Sequence, residues 1–124
     1  MISELEHSEQ FRLDRERIIA LGVELGPLAA EELVVSVMEE LAILLARLRM
    51  SVQRKDLSDI IDISKKISEA AKKIGLSKLR RVSLDAIYLA ETGDSTALAA
   101  VIERIHRLGD QSLLAVWDVT DVSL

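Results

Sequence analysis

Two histidines and one row of lysines are the side chains of this 124-residue chain whose type and spacing could do chemistry. His7 stands in the polar lead "MISELEHSEQ" with no partner group near it in sequence. His106 lies one helical turn from both Ile102 and Asp110, at the edge of an apolar stripe, and reads as a packing or capping group. Cysteine is absent, which removes thiolate nucleophiles, thiolate metal sites and disulfides. Glu31, Glu32, Glu39 and Glu40 have the spacing of an exposed acidic face, and Glu39 and Glu40 do not form the Glu-x-x-His pattern of a di-iron bundle. With no glycine-rich phosphate loop and no Ser/His/Asp or Cys/His set, neither a metal nor a cofactor is expected, and no catalytic residue is assigned.

The lysines are a different matter. From Lys65 to Arg81 there are seven basic residues (Lys65, Lys66, Lys72, Lys73, Lys78, Arg80 and Arg81) against one acid, Glu69, so this segment carries +6. The whole chain is −5, and the remainder is therefore −11. A net acidic chain is not a general nucleic-acid binder. A basic segment on an acidic background is either a solvated helix face or a footprint for an acidic partner surface.

The elements that would present these side chains are helices. Apolar residues make up 49% of the chain, yet Phe11, Tyr88 and Trp117 are its only aromatics, so a core must be built from Leu, Ile, Val and Ala, which suits interlocking helices. Hydrophobicity repeats at 3.6 residues throughout and nowhere alternates as in an exposed strand. The length predicts one domain over residues 1–124. No stretch approaches the roughly 18 apolar residues of a membrane span, and the acidic N-terminus is unlike a signal peptide, so a soluble cytoplasmic protein is expected.

A first helix is predicted from about Ser8 to Leu25, closed by Gly26, with Pro27 opening a second that runs to about Arg54. The second helix has a main stripe of Leu33, Val34, Val37, Met38, Leu41, Leu44, Leu45, Leu48 and Val52. It has a further apolar set at Val35, Ala42, Ile43, Ala46 and Met50. Two apolar sides fit a central helix, with a homodimer through this helix as the other reading. Asp56 caps a third helix reaching Ile74, with Leu57, Ile60, Ile61, Ser64, Ile67, Ala70, Ala71 and Ile74 inward. Asp62, Lys65, Glu69 and Lys72 pair along its outer edge. Gly75 ends it. A fourth helix follows over Ser77 to Thr92 and a fifth over Ser95 to Leu108, each introduced by glycine or a Gly-Asp pair. The second Gly-Asp, Gly109 and Asp110, predicts a break before a short last helix over about Asp110 to Trp117, a single bent helix being the alternative. Trp117 closes the bundle end, and "DVTDVSL" frays.

These elements predict an all-α fold, an antiparallel up-down four-helix bundle over about 27–108 with an additional N-terminal helix (8–25) and a short C-terminal extension (109–124). The spelling "KKIGLSKLRRVSLDAIYLAETGD", with the lead from Leu13 and the later "ALAAVIERI", resembles the histidine phosphotransfer domains of bacterial two-component phosphorelays. Aligned on "IGL", that family's phosphorylated histidine falls on Lys65, its following lysine on Ser68, and the glycine beside it on Glu69. All three signature positions depart from the pattern. Phosphoryl transfer needs an imidazole lone pair, available because imidazole titrates near about 6.5, whereas an ammonium of pKa about 10.4 has none at neutral pH.

The resemblance therefore implies a non-catalytic module that docks a receiver domain, whose phosphorylatable aspartate is set among acidic side chains. The implied surface is Ser64, Lys65, Ser68, Glu69, Lys72 and Lys73, with Lys78 and Arg81 nearby. Self-association through the second helix, and phosphotransfer through a relocated His106, are the alternatives.

Overall fold

The structure is a computed structural model that describes residues 15–123, with side chains placed over 16–114. The expected start of the first helix, Phe11, Leu13, His7 and the Trp117 side chain lie outside the described residues. Every regular element described is helical: α1 (Arg15–Leu25), α2 (Pro27–Gln53), α3 (Leu57–Lys73), α4 (Ser77–Thr92) and α5 (Ser95–Ser123). None of them is long and apolar enough to cross a membrane.

The punctuation is local chemistry. Gly26 adopts φ 84°, which L side chains rarely take, and Pro27 then opens α2, where its missing N–H costs nothing. The Asp56 carboxylate accepts from the Asp59 N–H at 3.1 Å and caps α3, and Asp94 does the same for α5 through the Ala97 N–H at 3.1 Å. Lys55, between α2 and α3, is the one non-glycine residue with positive φ (54°) among the described residues.

Helices α2, α3, α4 and α5 each pack on the next, α5 returns to α2, and α1 lies on α2. One hydrophobic cluster draws on all five, with Leu41, Leu48, Ile63, Ile67, Ile74, Leu79, Ile105 and Leu108 fully enclosed. It is aliphatic, as the composition requires. Polar groups inside are small and mostly self-satisfied: Ser83 Oγ donates to the Leu79 carbonyl at 2.8 Å and Ser112 Oγ to the Leu108 carbonyl at 2.6 Å, both within one helix.

Four expectations need correction. The last helix does not break at Gly109: α5 is continuous to Ser123, through the residues expected to fray. The reason is a close contact, because a Cβ at Gly109 would stand 2.7 Å from Leu45 Cδ1, so the missing side chain lets α5 approach α2. Second, Asp110 is not a cap but pairs with Arg49 of α2 at 3.5 Å. Third, the inward arc of α3 is rotated: Ile63 is fully buried, Ile61 only half, and Leu57 is exposed. Fourth, α2 turns Ser51 inward and Val52 outward, because the Ser51 hydroxyl is held by the Asp59 carboxylate of α3 and the Arg47 carbonyl (3.0 Å).

Candidate functional site

The basic side chains sit where α3 ends and α4 begins. Burial of Ile60, Ile63, Ile67, Ala70 and Ala71 fixes the rotation of α3 and leaves Lys65, Glu69 and Lys72 outward at steps of four and three residues. Lys65 and Lys72 are thus about 10 Å apart along the axis. The corner itself is closed by hydrogen bonding and burial. The Leu76 N–H returns to the Ala71 carbonyl at 2.9 Å across Gly75 (φ 75°), and Leu76 is buried beneath the turn.

The sequence-predicted residues divide. Lys65, Glu69, Lys72, Lys73 and Arg81 are exposed and Lys78 is half-buried. Ser64 and Ser68 are inside, Ser64 fully so, and Ser68 Oγ donates to the Lys65 carbonyl at 2.8 Å. A docking partner cannot touch them, which removes both from the outer surface. The outer row is also not paired as expected, because Asp62 meets Lys66 at 3.2 Å rather than Lys65. Among the described residues no ion pair forms at Lys65, Lys72, Lys73, Arg80 or Arg81.

Helix-end electrostatics distinguish the two sides of this corner. Lys72 and Lys73 lie in the last turn of α3, where the negative end of the helix favours them. Lys78, Arg80 and Arg81 crowd the first turns of α4, where the positive end does not. That end has neither a side-chain cap nor an acid in its first turn. Local helix stability does not account for cations there.

Sequence reasoning missed how this surface continues along α4. Arg80, Leu84 and Tyr88 follow at four-residue steps, and all three are exposed, Tyr88 by 66%. An exposed aromatic beside cations has the character of an interface. The signal was present as the spacing R-x-x-x-L-x-x-x-Y.

His106 occupies a separate place, on α5 facing α2. Its Nδ1 is buried and has no hydrogen-bond partner, and burial, helped by the Arg49 guanidinium and opposed by Asp110, lowers its pKa below the ordinary histidine value. The ring is neutral at neutral pH. Among the described residues no group of three or more His, Asp or Glu side chains comes together to hold a metal. No protein-family model, curated protein or solved structure matches this chain.

Proposed function

We propose that this chain is an up-down four-helix bundle of the histidine phosphotransfer type that has lost its phosphoacceptor and acts by docking an acidic protein surface, a receiver domain of a two-component pathway. The observation that carries the reading is the cost accepted at the start of α4, where Lys78, Arg80 and Arg81 stand at an uncapped positive helix end with no acid in the first turn. With Lys65, and with Lys72 at the favourable C-terminal end of α3, they form a cationic surface that no ion pair among the described residues neutralises. Lys65 is a fixed charge where the family it resembles holds a titratable ring, so the module binds a receiver and passes no phosphate.

The test is a calorimetric titration against receiver domains at low and high salt. Lys65→Glu combined with Lys72→Glu weakens binding at least about tenfold, and salt weakens the parent toward the variant. Equal affinity of parent and variant removes the reading.

A second reading rests on His106, whose neutral imidazole retains a lone pair. Under it, phosphorylated receiver labels the chain and His106→Ala abolishes the label, whereas an unlabelled parent chain excludes it.

A further inference from the structure

The outward side of α2 is apolar where none of the described residues covers it. Ile43 is 63% exposed and Met50 48%, and Ala42 and Ala46 beside them are exposed as well. Toward the N-terminus the stripe continues as a shallow open groove whose described lining comes from α2, with Leu28 and Val35 beside Glu32 and Glu39. The opposite side of the helix is committed to the core through Val37, Leu41, Leu44 and Leu48. Among the described residues this helix therefore has a second seam with no partner.

Its charges say what the partner is. Every acid between Pro27 and Lys55 (Glu31, Glu32, Glu39, Glu40) precedes Ile43, and every base (Arg47, Arg49, Arg54, Lys55) follows it. The helix dipole explains such an order only in the first and last turns, and Glu39, Glu40, Arg47 and Arg49 lie well inside. The order is also symmetric. Glu39 and Arg47 are four residues either side of Ile43, and Glu32 and Arg54 eleven either side. Four and eleven residues are close to whole numbers of helical turns, and Arg54, the C-cap just past Gln53, keeps the helical N–H bond to the Met50 carbonyl at 3.0 Å, so these residues share the face of Ile43.

We propose that a second copy of this chain covers the seam, running antiparallel about a two-fold axis at Ile43. Glu32 and Glu39 of each copy then oppose Arg54 and Arg47 of the other. The contact is self-complementary, as a two-fold requires, and Ala42 and Ala46 let the two helices approach. A parallel pair sets acid against acid and base against base, which disfavours it. Arg47 also contacts Asp59 of its own chain at 3.6 Å, so Glu32 with Arg54 is the cleaner reporter. The surface is distinct from the cationic corner, and the dimer stands or falls independently of receiver docking.

Sedimentation of the full chain tests this. The parent is a dimer at micromolar to millimolar concentration. Glu32→Arg and Arg54→Glu each weaken the dimer about tenfold or more, and the double variant regains the parent affinity, since each copy again meets its opposite. All three stay folded by circular dichroism, because both positions are exposed. The chain has no cysteine, so Ile43→Cys introduces a single thiol at the axis, and mild oxidation links it to its copy while Glu69→Cys on α3 stays unlinked. A parent that remains monomeric at millimolar concentration overturns the proposal. So does a dimer that ignores both single reversals, or one whose Ile43→Cys form does not cross-link.

Discussion

The same dipeptide, Gly-Asp, occurs at 93–94 and at 109–110, and the two copies do opposite things. Gly93 takes φ 79°, its N–H reaching back to the Leu89 carbonyl at 3.1 Å, and Asp94 then caps α5, so one helix ends and another begins. Gly109 sits within continuous helix against Leu45, and Asp110 reaches Arg49 across the same interface. What decides is the neighbour. Where a second helix presses close, glycine supplies room; where none does, it supplies a backbone conformation. Local spelling cannot separate these, because both uses follow from the same missing Cβ.

Substitutions that add that Cβ test the contrast most strongly. Gly109→Ala drives a methyl into Leu45, which is itself buried, and costs about 1–3 kcal/mol in chemical denaturation despite the better helix propensity of alanine. Trimming Leu45 in the same chain recovers part of that loss, so the two changes are strongly non-additive. Gly93→Ala meets no neighbouring atom but must hold a left-handed backbone, a cost of about 1–2 kcal/mol that no trimming elsewhere relieves. Asp94→Ala removes a cap and costs about 1 kcal/mol.

The smallest change in stability comes from Asp110, whose pair with Arg49 is exposed on both sides and is worth a few tenths of a kcal/mol. Its effect is read elsewhere. Asp110 raises the His106 pKa while burial and Arg49 lower it, so Asp110→Asn lowers it further, measured by NMR titration of the ring. The folded His106 is harder to protonate than the unfolded one. Its contribution is therefore intact above about pH 6.5, the ordinary histidine value, and is lost as pH falls through the folded value. Asp110→Asn deepens this acid loss and Asp94→Asn leaves the His106 titration unmoved.

Most helix boundaries were legible because each has its own chemistry: Gly26 before Pro27, Asp56, Gly75, and Gly93 with Asp94. The faces were less so. In "DIIDIS" three isoleucines fall within four positions, and periodicity cannot say whether Ile61 or Ile63 turns inward; the packed neighbours choose Ile63. At 51–52 the hydrophobic residue is outside and the serine inside, since Ser51 gains a carboxylate partner on another helix that sequence does not reveal. In the candidate site the outward lysines followed from the stripe. Ser64 lay on the inward stripe as well, and only the resemblance put it on the docking surface; the burial of Ser68 was not legible, because a serine in a helix is small enough to face either way and can satisfy its hydroxyl on its own backbone. Leu84 and Tyr88 were passed over because a lone exposed apolar residue is ordinary and only their alignment with Arg80 gives them meaning.

The interior serines have a mechanical consequence. Ser83 and Ser112 return their hydroxyls to their own helices, so within the described residues the Ser51–Asp59 link is the polar tie from a buried side chain that crosses between helices. Axial register elsewhere is set by the interlocking of aliphatic shapes. Sliding one helix past the next is therefore opposed mainly by shape, with a buried polar tie added at the α2–α3 seam and an exposed ion pair between α2 and α5.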